Sequence, residues 1–277
     1  MLARTYLFVP GNRPERFAKA LASGADAVVL DLEDAVAPAD KVAARDAVAR
    51  FLAAANAEQR ARLVLRINDE ATSWFDADLG VLAAYAGVAL MLPKAEQPAT
   101  LARVRSVCAG APVLALIESA RGVLNAEALA ACEGVSRLVF GTIDFALDLD
   151  LLGEQALGDL GLDHAASRQA LASRAAGLPA PVAGVTPDIG DEARLLADLA
   201  RARAHGFGAK LCIHPRQVAV IHAALQPSAE ELAWARRVLA AAEGSQGAVQ
   251  VDGRMVDKPV LQHALRLLAR AAPRRGD

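Results

Sequence analysis

Two carboxylates stand where short apolar segments of the chain end. Glu118 follows the apolar run 113–117, and Asp144 follows the run 138–140 about one strand and one helix later. Runs this short and this rich in Val, Leu and Ile are typical of buried parallel strands, whose carboxyl ends share one edge of a sheet. Two acids there, joined by no His or Cys, favour Mg²⁺ over Zn²⁺, with Mn²⁺ as the substitute. We therefore interpret Glu118 and Asp144 as metal ligands.

Other charged side chains follow apolar runs in the same way. They are Arg13, Asp31, Glu33, Asp34, Arg66 and Lys94. Arg66 is unfavourable at the end of an apolar strand unless it meets a carboxylate, so it forms either an ion pair or a bidentate contact with an anionic substrate. The acids either surround a cation or occupy the first turn of a helix, Lys94 either reaches substrate or pairs with an acid, and Arg13 is otherwise a solvated loop residue. We expect Arg13, Glu33, Asp34, Arg66 and Lys94 to bind substrate.

The apolar runs alternate with alanine-rich amphipathic segments along the chain. The runs are Tyr6–Val9, Ala27–Leu30, Leu63–Ile67, Val88–Leu92, Val113–Ile117, Leu138–Phe140, Pro181–Val185 and Ala209–Ile213. Eight such repeats predict an α/β protein with a closed (β/α)8 TIM barrel, in which ligands bind at the carboxyl ends of the strands. We place the barrel at 1–225 and an extra C-terminal helical extension at 226–277. That extension should hold a helix behind the capping box 228–231, a turn at 244–253 and a last helix.

Composition narrows the class of protein. The net charge is −2 with both signs mixed along the chain, which argues against a nucleic acid or an anionic membrane as partner. The three cysteines show no CxxC spacing, so a structural zinc or a disulfide framework is not indicated. No signal peptide and no apolar run of about 20 residues is visible. A globular cytoplasmic enzyme is the expectation.

Eight motifs, in order, resemble those of the HpcH/HpaI aldolase and citrate lyase β-subunit family. They are FVPGNR (8–13), LDLEDAV (30–36), RIN (66–68), LPK (92–94), IES (117–119), GTIDF (141–145), GAKLCIHP (208–215) and GRMVDKP (253–259). The resemblance runs from the first strand to the last helix. It implies a trimeric TIM-barrel lyase that uses Mg²⁺ to cleave a carbon–carbon bond in a 3-hydroxyacyl thioester, usually of coenzyme A.

The resemblance also assigns roles by position. Glu118 and Asp144 match the metal ligands, and Arg66 matches the residue that binds the substrate carboxylate and stabilises the enolate. Asp257 is similar to a catalytic acid that family members supply from a neighbouring subunit, which implies that 226–277 packs on another copy of the chain.

The substrate is the least defined part of the prediction. Malyl- or citramalyl-coenzyme A, cleaved to acetyl-coenzyme A and a 2-oxo acid, is the leading expectation. The alternatives are a citrate lyase β subunit that needs a carrier protein, a non-catalytic acyl-coenzyme A-binding barrel, and an aldolase of free 2-oxo acids. Lys41 and Arg45 are candidates for the coenzyme A phosphates, although on a helix they are also ordinary surface charges. Ser119 and the acidic segment 147–150 depart from the family pattern and leave the acyl group open.

Overall fold

The computed structural model describes residues 2–151, 156–243 and 249–271 of the chain. Eight parallel strands form a closed barrel in chain order, and the first strand pairs with the eighth. The strands are β1 Thr5–Pro10, β2 Ala27–Asp31, β3 Leu63–Arg66, β4 Ala89–Leu92, β5 Val113–Ile117, β6 Val135–Phe140, β7 Val182–Ala183 and β8 Ala209–Cys212. Each predicted run coincides with or overlaps one strand, so the predicted TIM barrel is confirmed. The seventh strand is shorter than predicted.

Helices connect the strands of the barrel, and further helices follow the last barrel strand along the chain. The α-helices are α1 Phe17–Leu21, α2 Lys41–Ala54, α3 Ala57–Arg60, α4 Phe75–Ala83, α5 Pro98–Val107, α6 Ala120–Leu124, α7 Ala126–Ala130, α8 Thr142–Asp148, α9 Ala156–Ala175, α10 Glu192–Ala204, α11 Pro215–Leu225, α12 Ala229–Ala242 and α13 Lys258–Ala271. Two short 3-10 helices, Pro14–Arg16 and Pro38–Asp40, precede α1 and α2. Within the described parts of the chain, no helix combines the length and the hydropathy that a bilayer span requires.

The interior of the barrel shows the two-residue period of β-strands. Its core cluster consists of Tyr6, Ala27, Val29, Val64, Met91, Leu114, Leu116, Val139, Val182, Ala209 and Leu211. Alternate side chains of a strand face the same side, so a residue two positions beyond a core residue also faces inward. Asp31, Arg66 and Glu118 each stand in that relation to the last core residue of their strand. The strand period therefore carries these three side chains to the carboxyl end of the barrel interior.

Arg137 occupies the interior towards the amino ends of the strands. It is 2% exposed and stands two residues before the core residue Val139. Its Nε donates to Ala180 O at 2.7 Å, and its Nη1 donates to Ala3 O at 2.6 Å and to the Tyr6 hydroxyl at 3.2 Å. The guanidinium thus pairs only with neutral oxygens, and its buried Nη2 has no hydrogen-bond partner among the described residues.

The chain divides into two compact units, and the barrel unit spans Leu2–Ile221. The second unit begins at His222, slightly before the boundary predicted at 225. In it the capping box of Ser228 and Glu231 precedes α12, as predicted. A small core of Ala235, Val238, Val251, Val256, Ala264 and Leu267 joins its elements.

The second unit also contains a hairpin that the sequence analysis missed. Strands β9 Val249–Val251 and β10 Arg254–Val256 pair antiparallel, where the sequence analysis had placed only a turn. The two residues between them, Asp252 and Gly253, both have positive φ values, 51° and 76°. Asp-Gly is a strong sequence marker for such a two-residue turn, so this hairpin could have been predicted.

Candidate active site

Arg66 lies at the centre of an ion-pair cluster at the carboxyl end of the barrel. Its Nε and Nη2 donate to the two carboxylate oxygens of Asp31 at 2.7 and 2.6 Å. This bidentate contact follows from the strand register, because Asp31 and Arg66 are direct partners in the β2–β3 pairing. Phe8 packs below, with its ring centre 4.9 Å from the guanidinium carbon. Burial alone would lower the Arg66 pKa, but Asp31 and Glu33 together raise it above its ordinary value. Arg66 is therefore a permanent, oriented cation.

The segment Asp31–Asp34, which we call the acid loop, supplies the carboxylates around Arg66. Asp31 also accepts hydrogen bonds from the backbone N–H groups of Glu33 at 2.9 Å and Ala35 at 3.3 Å. Asp34 is mostly exposed and lies 3.4 Å from Arg66 Nη1. These bonds hold the loop in one conformation against the cation.

In the part of the chain that the structure describes, Glu33 is the member of the acid loop whose carboxylate has no hydrogen bond. One of its oxygens lies 2.6 Å from Arg66 Nη1, yet the contact lacks hydrogen-bond geometry, and both buried carboxylate oxygens are without a hydrogen bond within the described residues. Burial raises the pKa of Glu33 to about 8, against the opposing effect of Arg66 and with the help of the Glu118 charge. Lys94 Nζ is 3.9 Å away and half exposed. Among the described side chains, Glu33 is therefore a buried carboxyl group that lacks the hydrogen bonds its charged form needs.

Glu118 directly follows β5 and is 4% exposed. Its Oε1 accepts a hydrogen bond from the backbone N–H of Lys94 at 2.7 Å, and Lys94 adopts a left-handed backbone conformation with φ 45°. Gly141 makes room on the other side, since a Cβ there would lie 2.5 Å from Glu118 Oε2. Burial, and next the charge of Asp144, raise the pKa of Glu118 to about 7. Its backbone surroundings thus hold this carboxylate in place.

Asp144 stands in the first turn of α8 and is partly exposed. It and Glu118 line one cavity of about 420 Å³, together with Arg66, Asp31 and Asp34. The remaining lining residues are small or apolar: Phe8, Ala35, Leu116, Gly141, Thr142, Ile143, Val185, Leu211 and Ile213. Within the described residues, no group of three or more His, Cys, Asp or Glu side chains is arranged to hold a metal. Mg²⁺ in proteins is usually bound by one or two carboxylates, while water and substrate complete its coordination, and this cavity offers two carboxylates and room for both.

The predicted substrate-binding residues do not all meet in this cavity. Glu33 and Lys94 lie beside it, and Lys94 forms the ion pair that was the alternative interpretation. Arg13 is exposed after β1 and pairs with Glu15 at 3.0 Å, so the structure does not bring it to the cluster. The predicted catalytic acid Asp257 is exposed in the second unit, where its Oδ1 accepts from Val260 N at 3.2 Å at the start of α13.

The structure corrects the expectation that Lys41 and Arg45 contact the coenzyme A phosphates. Lys41 is buried, and its ammonium donates to two backbone carbonyl oxygens of the acid loop. Arg45 donates from Nε to Asp78 at 2.6 Å, and Asp78 in turn accepts from the backbone and side chain of Asn68. Both cations are used inside the protein and are not presented to a phosphate.

Sequence reasoning missed two residues of the site. Asp31 was noted at the rim but given no role, although the need of Arg66 for a carboxylate partner pointed to a neighbouring strand end. Gly141 was quoted only as part of a motif. A glycine directly after a buried strand and before an acid indicates a close approach of backbone to another group.

Comparisons with known proteins identify the family. A family model described as HpcH/HpaI aldolase/citrate lyase matches residues 4–215, and one described as a C–C bond lyase of the TIM-barrel fold matches residues 172–273. The citrate lyase subunit beta-like protein of Mycobacterium tuberculosis is 41% identical over 269 residues, which cover 96% of this chain and 94% of that protein. The (3S)-malyl-CoA thioesterase of Cereibacter sphaeroides is 37% identical, covering 97% of this chain and 94% of that protein.

A solved structure extends the match to three dimensions. The crystal structure of CitE from Mycobacterium tuberculosis in complex with magnesium, acetoacetate and coenzyme A has a TM-score of 0.87 at 41% identity and covers 98% of both chains. The barrel, the cluster at its carboxyl end and these matches agree: the chain belongs to the HpcH/HpaI aldolase/citrate lyase family.

Proposed function

We propose that this chain is a metal-dependent carbon–carbon lyase that cleaves a 3-hydroxyacyl-coenzyme A thioester, of the malyl or citramalyl type, into acetyl-coenzyme A and a 2-oxo acid. The observation that carries the proposal is that Glu118 and Asp144 line one cavity with Arg66. The relatives add support, because they include a malyl-CoA thioesterase and a structure that contains magnesium and coenzyme A.

The donors in the cavity fit a hard divalent cation. Glu118 and Asp144 offer carboxylate oxygens, and neither His nor Cys is among the described lining residues, which suits Mg²⁺, with Mn²⁺ as substitute. Burial, and next the charge of Asp144, raise the pKa of Glu118, and a bound cation would favour the ionised form of both carboxylates. When bound, the ion would act as a Lewis acid towards the hydroxyl and carboxylate oxygens of the substrate.

Arg66 would bind the anionic end of the substrate and stabilise developing charge. A guanidinium carries five N–H donors, so Arg66 can hold Asp31 through two of them and retain others for the cavity. The bond between C2 and C3 of the acyl chain would break when Asp257 of a neighbouring copy takes the hydroxyl proton and the hydroxyl oxygen becomes the carbonyl oxygen of the 2-oxo acid. The electron pair passes to the thioester, and a fixed cation nearby lowers the energy of the resulting enolate.

Asp257 would return a proton to that enolate from a neighbouring copy of the chain in a homotrimer. Its carboxylate is exposed in the second unit and is therefore available to another molecule. Mixing two inactive variants tests this role. Co-expressed Glu118→Gln and Asp257→Ala chains should regain activity if each site combines residues of two subunits, and no recovery would assign Asp257 to its own chain or to no role.

The coenzyme A part of the substrate would lie outside the cavity. Arg13 is exposed at the same rim and remains a candidate contact for it, whereas Lys41 and Arg45 do not. Arg13→Ala should raise the KM for the thioester and leave kcat unchanged, because a contact remote from the reacting bond contributes equally to ground and transition states.

The decisive experiment is an assay of the purified chain with a panel of hydroxyacyl-coenzyme A esters. Chromatography should detect acetyl-coenzyme A together with a 2-oxo acid, and chelation should stop product formation until Mg²⁺ is restored. Absence of both products from every ester, with metal present, would refute the proposal.

The same assay separates two further candidates, each favoured by a relative. A thioesterase, as in the Cereibacter sphaeroides protein, would release free coenzyme A and an intact hydroxy acid. A citrate lyase β subunit, as in a Leuconostoc mesenteroides relative of 31% identity, would act only after a carrier protein bearing the citryl group is added. Binding of esters without any product would indicate the non-catalytic barrel.

A further inference from the structure

Lys41 is a buried lysine whose ammonium group contacts the protein interior. It is the first residue of α2 and is 6% exposed. Its Nζ donates to the backbone oxygens of Leu32 and Glu33, each at 2.8 Å, and lies 5.4 Å from the centre of the Trp74 ring. Removing an ammonium group from water is unfavourable unless its hydrogen bonds are replaced, so these carbonyl contacts are specific.

The two carbonyls belong to the acid loop, whose side chains bind Arg66. The loop is therefore held by cations on two sides: the Lys41 ammonium contacts its backbone, and the Arg66 guanidinium contacts Asp31 and Glu33 at 2.6 Å. Glu33 contributes to both contacts, with its carbonyl to Lys41 and its carboxylate to Arg66. A displacement of the backbone at Glu33 would move the partner of Arg66.

The charge of Lys41 also stabilises the acid loop. Three carboxylates within four residues repel one another, and a cation at the carbonyl side of the loop reduces that repulsion without competing for the cavity. Burial lowers the pKa of Lys41, while the charges of Asp31 and Glu33 oppose the shift. The ammonium is thus coupled to the acids that orient Arg66.

We infer that Lys41 is a positioning residue, which holds the acid loop so that Arg66 is oriented towards the cavity, and that it makes no contact with coenzyme A. The inference rests on the proposed function for its effect on turnover. It predicts that loss of the ammonium impairs the chemical step and leaves binding of the coenzyme A part intact.

The test compares Lys41→Met with Lys19→Met, since Lys19 is an exposed lysine of α1. Lys41→Met should lower kcat by about 10–100-fold, the usual effect of removing a group that orients an active-site residue, while KM for the thioester changes less than about 3-fold. Lys41→Arg keeps the charge and should recover part of kcat, whereas Lys19→Met should match the wild type. If Lys41→Met does not fold, Lys41→Arg still decides, since it should lower kcat at constant KM.

Two results would overturn the inference. A rise in KM with constant kcat would return Lys41 to coenzyme A binding, and a lower melting temperature with unchanged kcat and KM would make it a purely structural residue.

A readout without turnover separates this inference from the proposed function. Calorimetric titration with oxalate and Mg²⁺ should give about 10–100-fold weaker binding to Lys41→Met than to wild type, while titration with coenzyme A gives equal affinity. In the metal-free variant, amide hydrogen exchange should also increase at residues 31–36. Unchanged oxalate binding and exchange would refute the positioning role, even if the wild type cleaves thioesters. A wild type without lyase activity would refute only the proposed function.

Discussion

The two ends of the barrel each bury an arginine, and the two arginines have different partners. Arg66, at the carboxyl end, binds carboxylates and lines the 420 Å³ cavity. Arg137, at the amino end, donates to two backbone carbonyls and a tyrosine hydroxyl and is not among the residues that line that cavity. Burial of a guanidinium therefore does not by itself indicate a site.

Arg66 and Arg137 differ in the charges of the groups around them. The buried acids Asp31, Glu33 and Glu118 and the more exposed Asp34 and Asp144 lie at the carboxyl-end site, together with the cations Arg66, Lys94 and Lys41. A cation bound near Glu118 and Asp144 would favour the ionised carboxylates, whereas the neutral oxygens around Arg137 offer a cation no charged ligand. The comparison predicts that substitutions at one end affect chemistry and that substitutions at the other affect stability.

The largest expected effect is that of Glu118→Gln. Loss of one of two metal ligands should remove a Lewis-acid contribution of several kcal/mol, which corresponds to about 10³-fold in turnover. Glu133→Gln, an exposed glutamate paired with Arg105, is the matched control and should behave as wild type in the same assay. Near-normal turnover of Glu118→Gln at saturating Mg²⁺ would contradict the metal assignment.

Lysine substitutions of the two arginines test the comparison directly. Arg66→Lys keeps the charge but loses the bidentate geometry, and kcat/KM should fall by about 10²–10³-fold, as for loss of an anion-stabilising donor. Arg137→Lys should leave kcat/KM within about 2-fold but lower the free energy of unfolding by about 1–3 kcal/mol for each carbonyl left unpaired. Activity loss in Arg137→Lys, measured alongside thermal unfolding, would remove the functional difference between the ends.

Gly141→Ala should have an intermediate effect at the carboxyl end. The new methyl group would stand 2.5 Å from Glu118 Oε2 and 2.6 Å from Glu118 Cβ, so the carboxylate must move and metal affinity should drop about 10–100-fold. Calorimetric titration with Mg²⁺ measures the change. Gly80→Ala, in a helix with no atom within 4 Å of the new Cβ, should bind Mg²⁺ normally and be equally stable or more stable.

The smallest expected effect is a pH dependence of stability in the metal-free protein. Burial raises the Glu33 pKa to about 8, so the folded state retains a proton that the unfolded state releases near pH 4.5. The stability that this proton provides is complete below that pH and is lost as pH rises to about 8, with a slope of at most about 1.4 kcal/mol per pH unit. Denaturant unfolding across this range should show the decline, to which Glu118 with its pKa of about 7 also contributes, and Glu33→Gln should reduce the slope, most clearly above pH 7. An unchanged slope in Glu33→Gln would place the titrating group elsewhere.

The sequence predicted the barrel and the composition of its carboxyl end because apolar runs followed by charged residues are local patterns. It did not predict that Lys41 is buried or that Arg45 pairs with the buried Asp78. Both positions fall on the same helix face as the buried Ala44 and Val48, so the helical period offered a clue. What a single sequence could not supply is the partner, because the carbonyls that accept from Lys41 belong to a loop whose path depends on the folded barrel.

The hydrogen bond that holds Glu118 comes from the backbone of Lys94, not from its side chain. Any amino acid except proline carries that N–H, and the left-handed φ of 45° is easiest for glycine or asparagine. The side chain at position 94 can therefore diverge while the anchoring of Glu118 persists. A substitution at position 94 other than proline would therefore remove the Lys94 ammonium and its contact with Glu33 while keeping the backbone hydrogen bond to Glu118.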